Sequence, residues 1–293
     1  MIAWRSVAVA ILAVSALATH SATAKPARAK AAAPSPDEYA GAEVCIRCHG
    51  EMARLWEKQR HSQYLMAPSR KVAGKGCEEC HGPGKAHAQG DRKAIIRVGK
   101  LMAERQAALC LSCHEGYVKN AEWFSTAHAR QRIVCTDCHA VHRDPKGPSM
   151  LKTDVTDTCL QCHARIRPLL LQNSHHPVLE GRVECTSCHD VHRSAEPAML
   201  RGTTKTLCLT CHRDKEGPFV YEHDPMVSEM SDNCLSCHTP HGSGNVQLLR
   251  LGQRGLCMQC HSDKVNHFPG PRCWTAGCHT HPHGSNSSPL LFF

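Results

Sequence analysis

Nine times this 293-residue sequence reads C-x-x-C-H, and a tenth site keeps the same ending across a wider gap. The first is Cys45-Ile46-Arg47-Cys48-His49. The next eight pair Cys77 with Cys80, Cys110 with Cys113, Cys135 with Cys138, Cys159 with Cys162, Cys185 with Cys188, Cys208 with Cys211, Cys234 with Cys237 and Cys257 with Cys260. They end on His81, His114, His139, His163, His189, His212, His238 and His261. The tenth, Cys273-Trp274-Thr275-Ala276-Gly277-Cys278-His279, has four residues between its cysteines, and with it all 20 cysteines are used. Zinc ribbons and disulfide frameworks also consume paired cysteines, but neither requires a histidine after every second one. Thioether attachment of a porphyrin does. Two thiols three residues apart project from one helical turn towards the two vinyl groups of one porphyrin edge. The histidine that follows then turns over the ring as proximal iron ligand. The expected cofactor is haem c, ten copies per chain.

The remaining histidines set the kind of haem site. Of 23, ten close motifs and His20 lies in the N-terminal apolar segment, leaving twelve. The chain is built of five tandem units, whose first cysteines are Cys45, Cys110, Cys159, Cys208 and Cys257; the last three steps are each 49 residues. Each unit has an odd-numbered motif, a lone histidine, an even-numbered motif and a histidine shortly downstream. The lone group is His61, His128, His175 or His176, His223 and His267. The downstream group is His87, His142, His192, His241, and His281 or His283. His176 is preferred because it directly precedes Pro177. His283 is preferred because His283-Gly284-Ser285 repeats His241-Gly242-Ser243. Leu151, Leu200 and Leu249 keep the same register, each eight residues before a motif cysteine. One spare histidine per motif predicts two imidazoles on every iron. The methionines occupy no position shared by all the units and are read as packing around porphyrin. An iron closed by two imidazoles has no open position for a substrate, and it lies at lower potential than a Met/His one.

Composition agrees with a haem-filled interior. Only 13 residues are aromatic, too few for an ordinary apolar core in a chain of this length. The clearest helix is expected over residues 51–66, with Met52, Leu55, Trp56 and Leu65 on one side and His61 carried along it. Further helical turns are expected around Thr156 to Leu171, Thr203 to Arg213 and Gly255 to Lys264. Gly82-Pro83-Gly84 and Asp144-Pro145-Lys146-Gly147-Pro148 mark loops. The expected fold class is therefore a multihaem cytochrome c: elongated, with short α-helices and irregular loops wrapped around a haem chain, and almost no β-structure.

At the N-terminus, Arg5 followed by an apolar run to Ala18 and then Ala22-Thr23-Ala24 predicts a secretory signal peptide over residues 1–24. Residues 25–40 read as a flexible Ala/Lys/Pro linker, and 41–293 as the decahaem domain. The formal charge of +9 does not argue for nucleic acid. Loss of Arg5 and addition of about 20 propionates against about ten ferric porphyrin charges brings the oxidised protein to roughly −2. The basic residues are scattered, with no aromatic interleaving.

With these motifs in place, the chain resembles the MtrA/DmsE family of periplasmic decahaem cytochromes over the whole mature region. The more specific shared features are Gly41-Ala42-Glu43-Val44-Cys45, His176-Pro177-Val178-Leu179-Glu180-Gly181, Pro218-Phe219-Val220-Tyr221-Glu222-His223-Asp224-Pro225 and His283-Gly284-Ser285-Asn286. The four-residue gap at Cys273–Cys278 departs from the family pattern. The resemblance implies an electron conduit that threads an outer-membrane β-barrel porin and exchanges electrons with periplasmic and outer cytochromes, without a membrane span of its own. A soluble periplasmic shuttle is the alternative. A multihaem reductase is third, because it needs an iron with a vacant position. The apolar ending Pro289-Leu290-Leu291-Phe292-Phe293 is read as a frayed end or as packing on the last haem, in preference to a docking segment.

Overall fold

The computed structural model describes residues 34–67, 76–193, 196–227, 233–252, 254–267, 272–274 and 278–292. The expected signal peptide and linker residues 25–33 lie outside them. The architecture described here is that of the unit Pro36–Phe293. Its described residues form short helices and loops; the longest described helix, Ala103–His114, has 12 residues. The described strands are β1 (Tyr221–Glu222) and β2 (Gly284–Ser285), antiparallel with Tyr221 opposite Ser285 and Glu222 opposite Gly284. No described helix is long and apolar enough to cross a membrane.

Odd and even motifs fold differently, and each kind repeats. An odd motif's first cysteine lies in the later part of a helix: Ala42–Cys48, Ala103–His114, Val155–Leu160, Thr204–Leu209 or Arg254–Cys257. Two of these helices start at a side-chain cap, with Asp154 Oδ1 accepting from Asp157 N (2.9 Å) and Thr203 Oγ1 from Thr206 N (3.3 Å). Even motifs form a single turn, as in Cys135–Cys138, Cys185–Cys188 and Cys234–Cys237. The chain then loops out and returns beside the motif histidine, so that His139 faces Leu151, His189 faces Leu200 and His238 faces Leu249 in isolated β-bridges. The leucine register seen in the sequence is the return point of these loops. Each return passes through two consecutive left-handed residues, Ser149-Met150, Ala198-Met199 and Gln247-Leu248, with φ between 51° and 62°.

The expected helix over 51–66 is instead two helices, Gly50–Glu57 and Arg60–Leu65, broken at Gln59. Gln59 has extended backbone (ψ 149°) and is 1% exposed, and its Nε2 donates to the Arg143 carbonyl. Tying this side chain to the second unit overrides the local helical pattern and re-aims His61. The helix Ala103–His114 was not anticipated, although Ala103-Glu104-Arg105-Gln106-Ala107-Ala108-Leu109 are strong helix formers. Among the described residues the buried apolar side chains are few, chiefly Ala, Val and Leu; one cluster gathers Ala107, Leu111 and Trp123.

Candidate haem-binding site

The structure sets every motif histidine opposite one other imidazole. His61 faces His114 with ring centroids 5.8 Å apart, His128 faces His163 at 6.0 Å, His176 faces His212 at 6.2 Å and His223 faces His261 at 6.2 Å. In each of these pairs, a lone histidine of one unit meets the odd-motif histidine of the next. The downstream histidines run the other way. His142 faces His81 at 5.8 Å, His192 faces His139 at 5.9 Å, His241 faces His189 at 6.1 Å and His283 faces His238 at 6.2 Å, each reaching back to the preceding unit's even motif. Only the two ends pair within their own unit: His49 with His87, and His279 with His267, both at 6.4 Å.

These separations test whether an iron fits. With a metal–nitrogen bond of about 2 Å on each side and about 1.1 Å from nitrogen to ring centre, two imidazoles on opposite faces of one iron stand about 6.2 Å apart. The ten observed values, 5.8–6.4 Å, bracket that figure. None of the twenty cysteines is joined to another. Among the described residues the histidines meet in twos, with no cluster of three or more metal-ligating side chains. The donor set fits haem, and it does not fit a zinc ribbon.

The two ambiguous histidine choices have different surroundings. His175 Nδ1 donates to the Gln172 carbonyl (2.6 Å) and its Nε2 lies 3.0 Å from Glu180 Oε1. The hydrogen bond to Glu180 raises its pKa above the usual histidine value. Its neighbour His176 is the one that faces His212. At the C-terminus His281 Nδ1 is 3.0 Å from Thr280 Oγ1, while His283 faces His238.

Backbone carbonyls orient many of these rings. In the even motifs, Nδ1 donates to a residue of the returning loop: His81 to Ile96 (2.8 Å), His139 to Ser149 (2.9 Å), His189 to Ala198 (2.8 Å), His238 to Gln247 (2.8 Å) and His279 to Leu290. Ser149, Ala198 and Gln247 are the first left-handed residues of their loops, which is how these carbonyls turn inward. Among the lone histidines, His128 bonds Val191, His176 bonds Pro240 (2.6 Å) and His223 bonds Pro282 (2.8 Å). Each of those carbonyls immediately precedes a downstream histidine. A carbonyl only accepts, so Nδ1 carries the proton and Nε2 keeps the lone pair a metal needs. Burial also favours the neutral ring, lowering the pKa of His61, His128, His142, His192, His223 and His241, and bringing His283 down to about 4 with help from Lys215 and His238.

The cysteines order the motifs in space. Within each unit the two first cysteines interact through their side chains: Cys45 with Cys77, Cys110 with Cys135, Cys159 with Cys185, Cys208 with Cys234 and Cys257 with Cys273. Hydrogen bonding within the pair lowers the Cys135 and Cys185 thiols to about 7 and Cys234 to about 6. Between units it is the second cysteines that are electrostatic neighbours: Cys80 and Cys113, Cys138 and Cys162, Cys188 and Cys211, Cys237 and Cys260. The motifs therefore adjoin one another in chain order, from the first to the tenth.

Among the other contributors, Trp123 and Glu78 carry no obvious sequence signal. Trp123, buried in the small apolar cluster, stands 6.4 Å from His192. Phe292 stands 5.1 Å from His279, and the neighbouring Leu290 carbonyl accepts from that histidine. The apolar tail thus packs at the tenth motif. Glu78, inside the second motif, is 3% exposed and accepts three backbone N–H groups.

Two protein families match parts of the chain. One, described as "Doubled CXXCH motif", matches residues 175–217 and 223–266. The other, described as "Cytochrome c-type protein NrfB-like", matches 77–153. The chain is also 31% identical over 142 residues to "Multiheme cytochrome MtrA" of Shewanella baltica, an alignment spanning 47% of this chain and 42% of the relative. It is 30% identical over 110 residues to "C-type polyheme cytochrome OmcB" of Geobacter sulfurreducens, covering 34% of this chain and 14% of that one. The chain thus matches less than half the length of these relatives.

Proposed function

We propose that this chain is an MtrA-like multihaem c-type cytochrome that transfers electrons, and that it carries ten bis-histidine haems in a row and conducts electrons along them across the outer membrane inside a β-barrel porin. The observation that carries this reading is the set of ten facing imidazole pairs, each spaced for one iron, joined by nine cysteine–cysteine junctions in chain order.

Haem c supplies a one-electron iron couple. The protein's part is to hold that couple closed and close to its neighbours. Cys45 and Cys48, and their counterparts in the other nine motifs, would hold the porphyrin edge through thioether bonds. The motif histidines and their facing partners would hold each iron with two imidazoles, a set that needs little rearrangement when the iron changes oxidation state. Carbonyls bonded to Nδ1 increase ligand basicity and fix ring orientation. The neighbouring cysteines of successive motifs would keep successive porphyrins near one another.

The membrane role rests on further physics. A hydrocarbon layer about 30 Å thick separates the periplasm from outside, and the described helices offer no apolar span. A conduit of this kind needs a barrel as its sheath. We place the chain in the periplasm, associated with the outer membrane, with a porin and outer or periplasmic cytochromes as partners. The test is co-purification with a detergent-solubilised porin, followed by reduction of a dye trapped in liposomes. The conduit reading expects dye reduction only when porin and cytochrome are both present. Quantitative recovery as a soluble monomer that reduces a soluble acceptor, with no transfer into liposomes, would replace the conduit with a periplasmic shuttle.

A further inference from the structure

The first motif differs from the eight internal ones, whose facing histidines come from a neighbouring unit. His87 comes from the same unit, and its Nδ1 is buried with no hydrogen-bond partner. By contrast, the lone histidines His128, His176 and His223 are each held by a carbonyl of a neighbouring unit. Something else must hold His87 in place. The helix that carries it, Lys85–Ala88, begins at Gly84, whose N–H donates to Glu78 Oε1 at 2.7 Å. The helix that leads into His49, Ala42–Cys48, begins at Gly41, whose N–H donates to Glu78 Oε2 at 2.8 Å. Ala40 N–H adds a third bond, to Oε1, at 2.8 Å. One buried carboxylate therefore ties together the starts of the two helices that bring His49 and His87 face to face.

Both glycines serve this clasp. Gly41 has φ 88°, which an L-residue rarely adopts. A Cβ on Gly84 would crowd Glu78 Oε1 at 3.1 Å. The corresponding residue of the other even motifs is Thr136, Thr186, Leu235 or Trp274, so the carboxylate belongs to the end unit alone.

Building on the bis-histidine reading above, we propose that Glu78 is the positioning residue of the first haem, keeping His87 on its iron and so closing that iron to small neutral ligands such as carbon monoxide. The experiment compares wild type, Glu78→Ala, Glu78→Gln and His87→Ala as full-length holoprotein, by carbon monoxide titration of the reduced form and by the high-spin ferric signal of the oxidised form. His87→Ala defines the signature of an open first haem: one ligand bound per ten haems. Glu78→Ala is expected to reproduce it. Glu78→Gln keeps one oxygen for Ala40 and Gly84 but loses the acceptor for Gly41, so it is expected to give an intermediate fraction. If Glu78→Ala does not mature, Glu78→Gln alone decides the matter. Variants that keep ten haems, stay low-spin and bind no carbon monoxide overturn the role of Glu78, even if their melting temperature falls. Wild type that is already high-spin, or holds fewer than ten haems, overturns the coordination scheme beneath it.

Discussion

His128 of the second unit faces His163 of the third across 6.0 Å. The return link is made by His192 of the third unit, which faces His139 of the second at 5.9 Å. Neighbouring units thus exchange facing histidines in both directions, and the same double link recurs at every junction. The units are interlocked, and the two end motifs close on themselves.

Replacing one exchanged ligand changes one iron and loosens one junction. His128→Met is expected to leave ten haems attached, raise the potential of the fifth by on the order of 100 mV, and leave the rest unchanged, because Met/His ligation lies at higher potential than bis-His. Potentiometric titration with a resolved fifth haem checks this; a shift spread over many haems would contradict it.

The exchange also makes an internal unit removable in register. Deleting residues 159–207, one 49-residue period, brings His241 into the place of His192 opposite His139, and lets His128 replace His176 opposite His212. The product is expected to be an eight-haem protein that remains entirely low-spin. Mass spectrometry and electron paramagnetic resonance read the outcome. A high-spin signal would show that the units are not interchangeable.

Ring orientation divides the ten sites. Six facing pairs are nearly parallel, with interplanar angles of 11–22°. Four are twisted by 47–82°: His61–His114, His128–His163, His176–His212 and His267–His279. Parallel axial imidazoles give low-spin ferric iron a rhombic resonance, and crossed ones a strongly axial signal with a large g value. The oxidised protein is expected to show both classes in a ratio of about three to two. His128→Ala should remove one member of the crossed class only.

His175 should titrate above the usual histidine range. Its partner Glu180 raises the His175 pKa, and His175 in turn lowers that of Glu180. The pair's contribution is complete only between the two pKa values. It is lost as pH rises through the His175 value, where the imidazole loses its charge, and as pH falls through the Glu180 value, where the carboxylate gains a proton. NMR titration should place the His175 midpoint above 6.5, and Glu180→Gln should lower it. His175→Ala should leave every haem low-spin, whereas His176→Ala should open the seventh.

Much of this arrangement was legible in the sequence because attachment chemistry fixes cysteine spacing and the following histidine. Counting the spare histidines in register also supplied one partner per motif. The sequence did not reveal who faces whom. A tandem repeat shows that each unit owns two spare histidines, but its spacing is the same whether they act at home or next door. The break at Gln59 was hidden for a related reason: its cause is the Arg143 carbonyl, 84 residues away. Nor could periodicity announce Glu78, a buried carboxylate whose partners are backbone N–H groups in two other segments.

Near-infrared magnetic circular dichroism of the oxidised protein tests the central claim most directly, since the charge-transfer bands report axial ligands and their intensity counts haems. Ten facing imidazole pairs predict bis-histidine bands alone, at an intensity of ten haems per chain. A band from Met/His or high-spin iron, or the intensity of nine haems or fewer with Cys273 and Cys278 unattached, would contradict it.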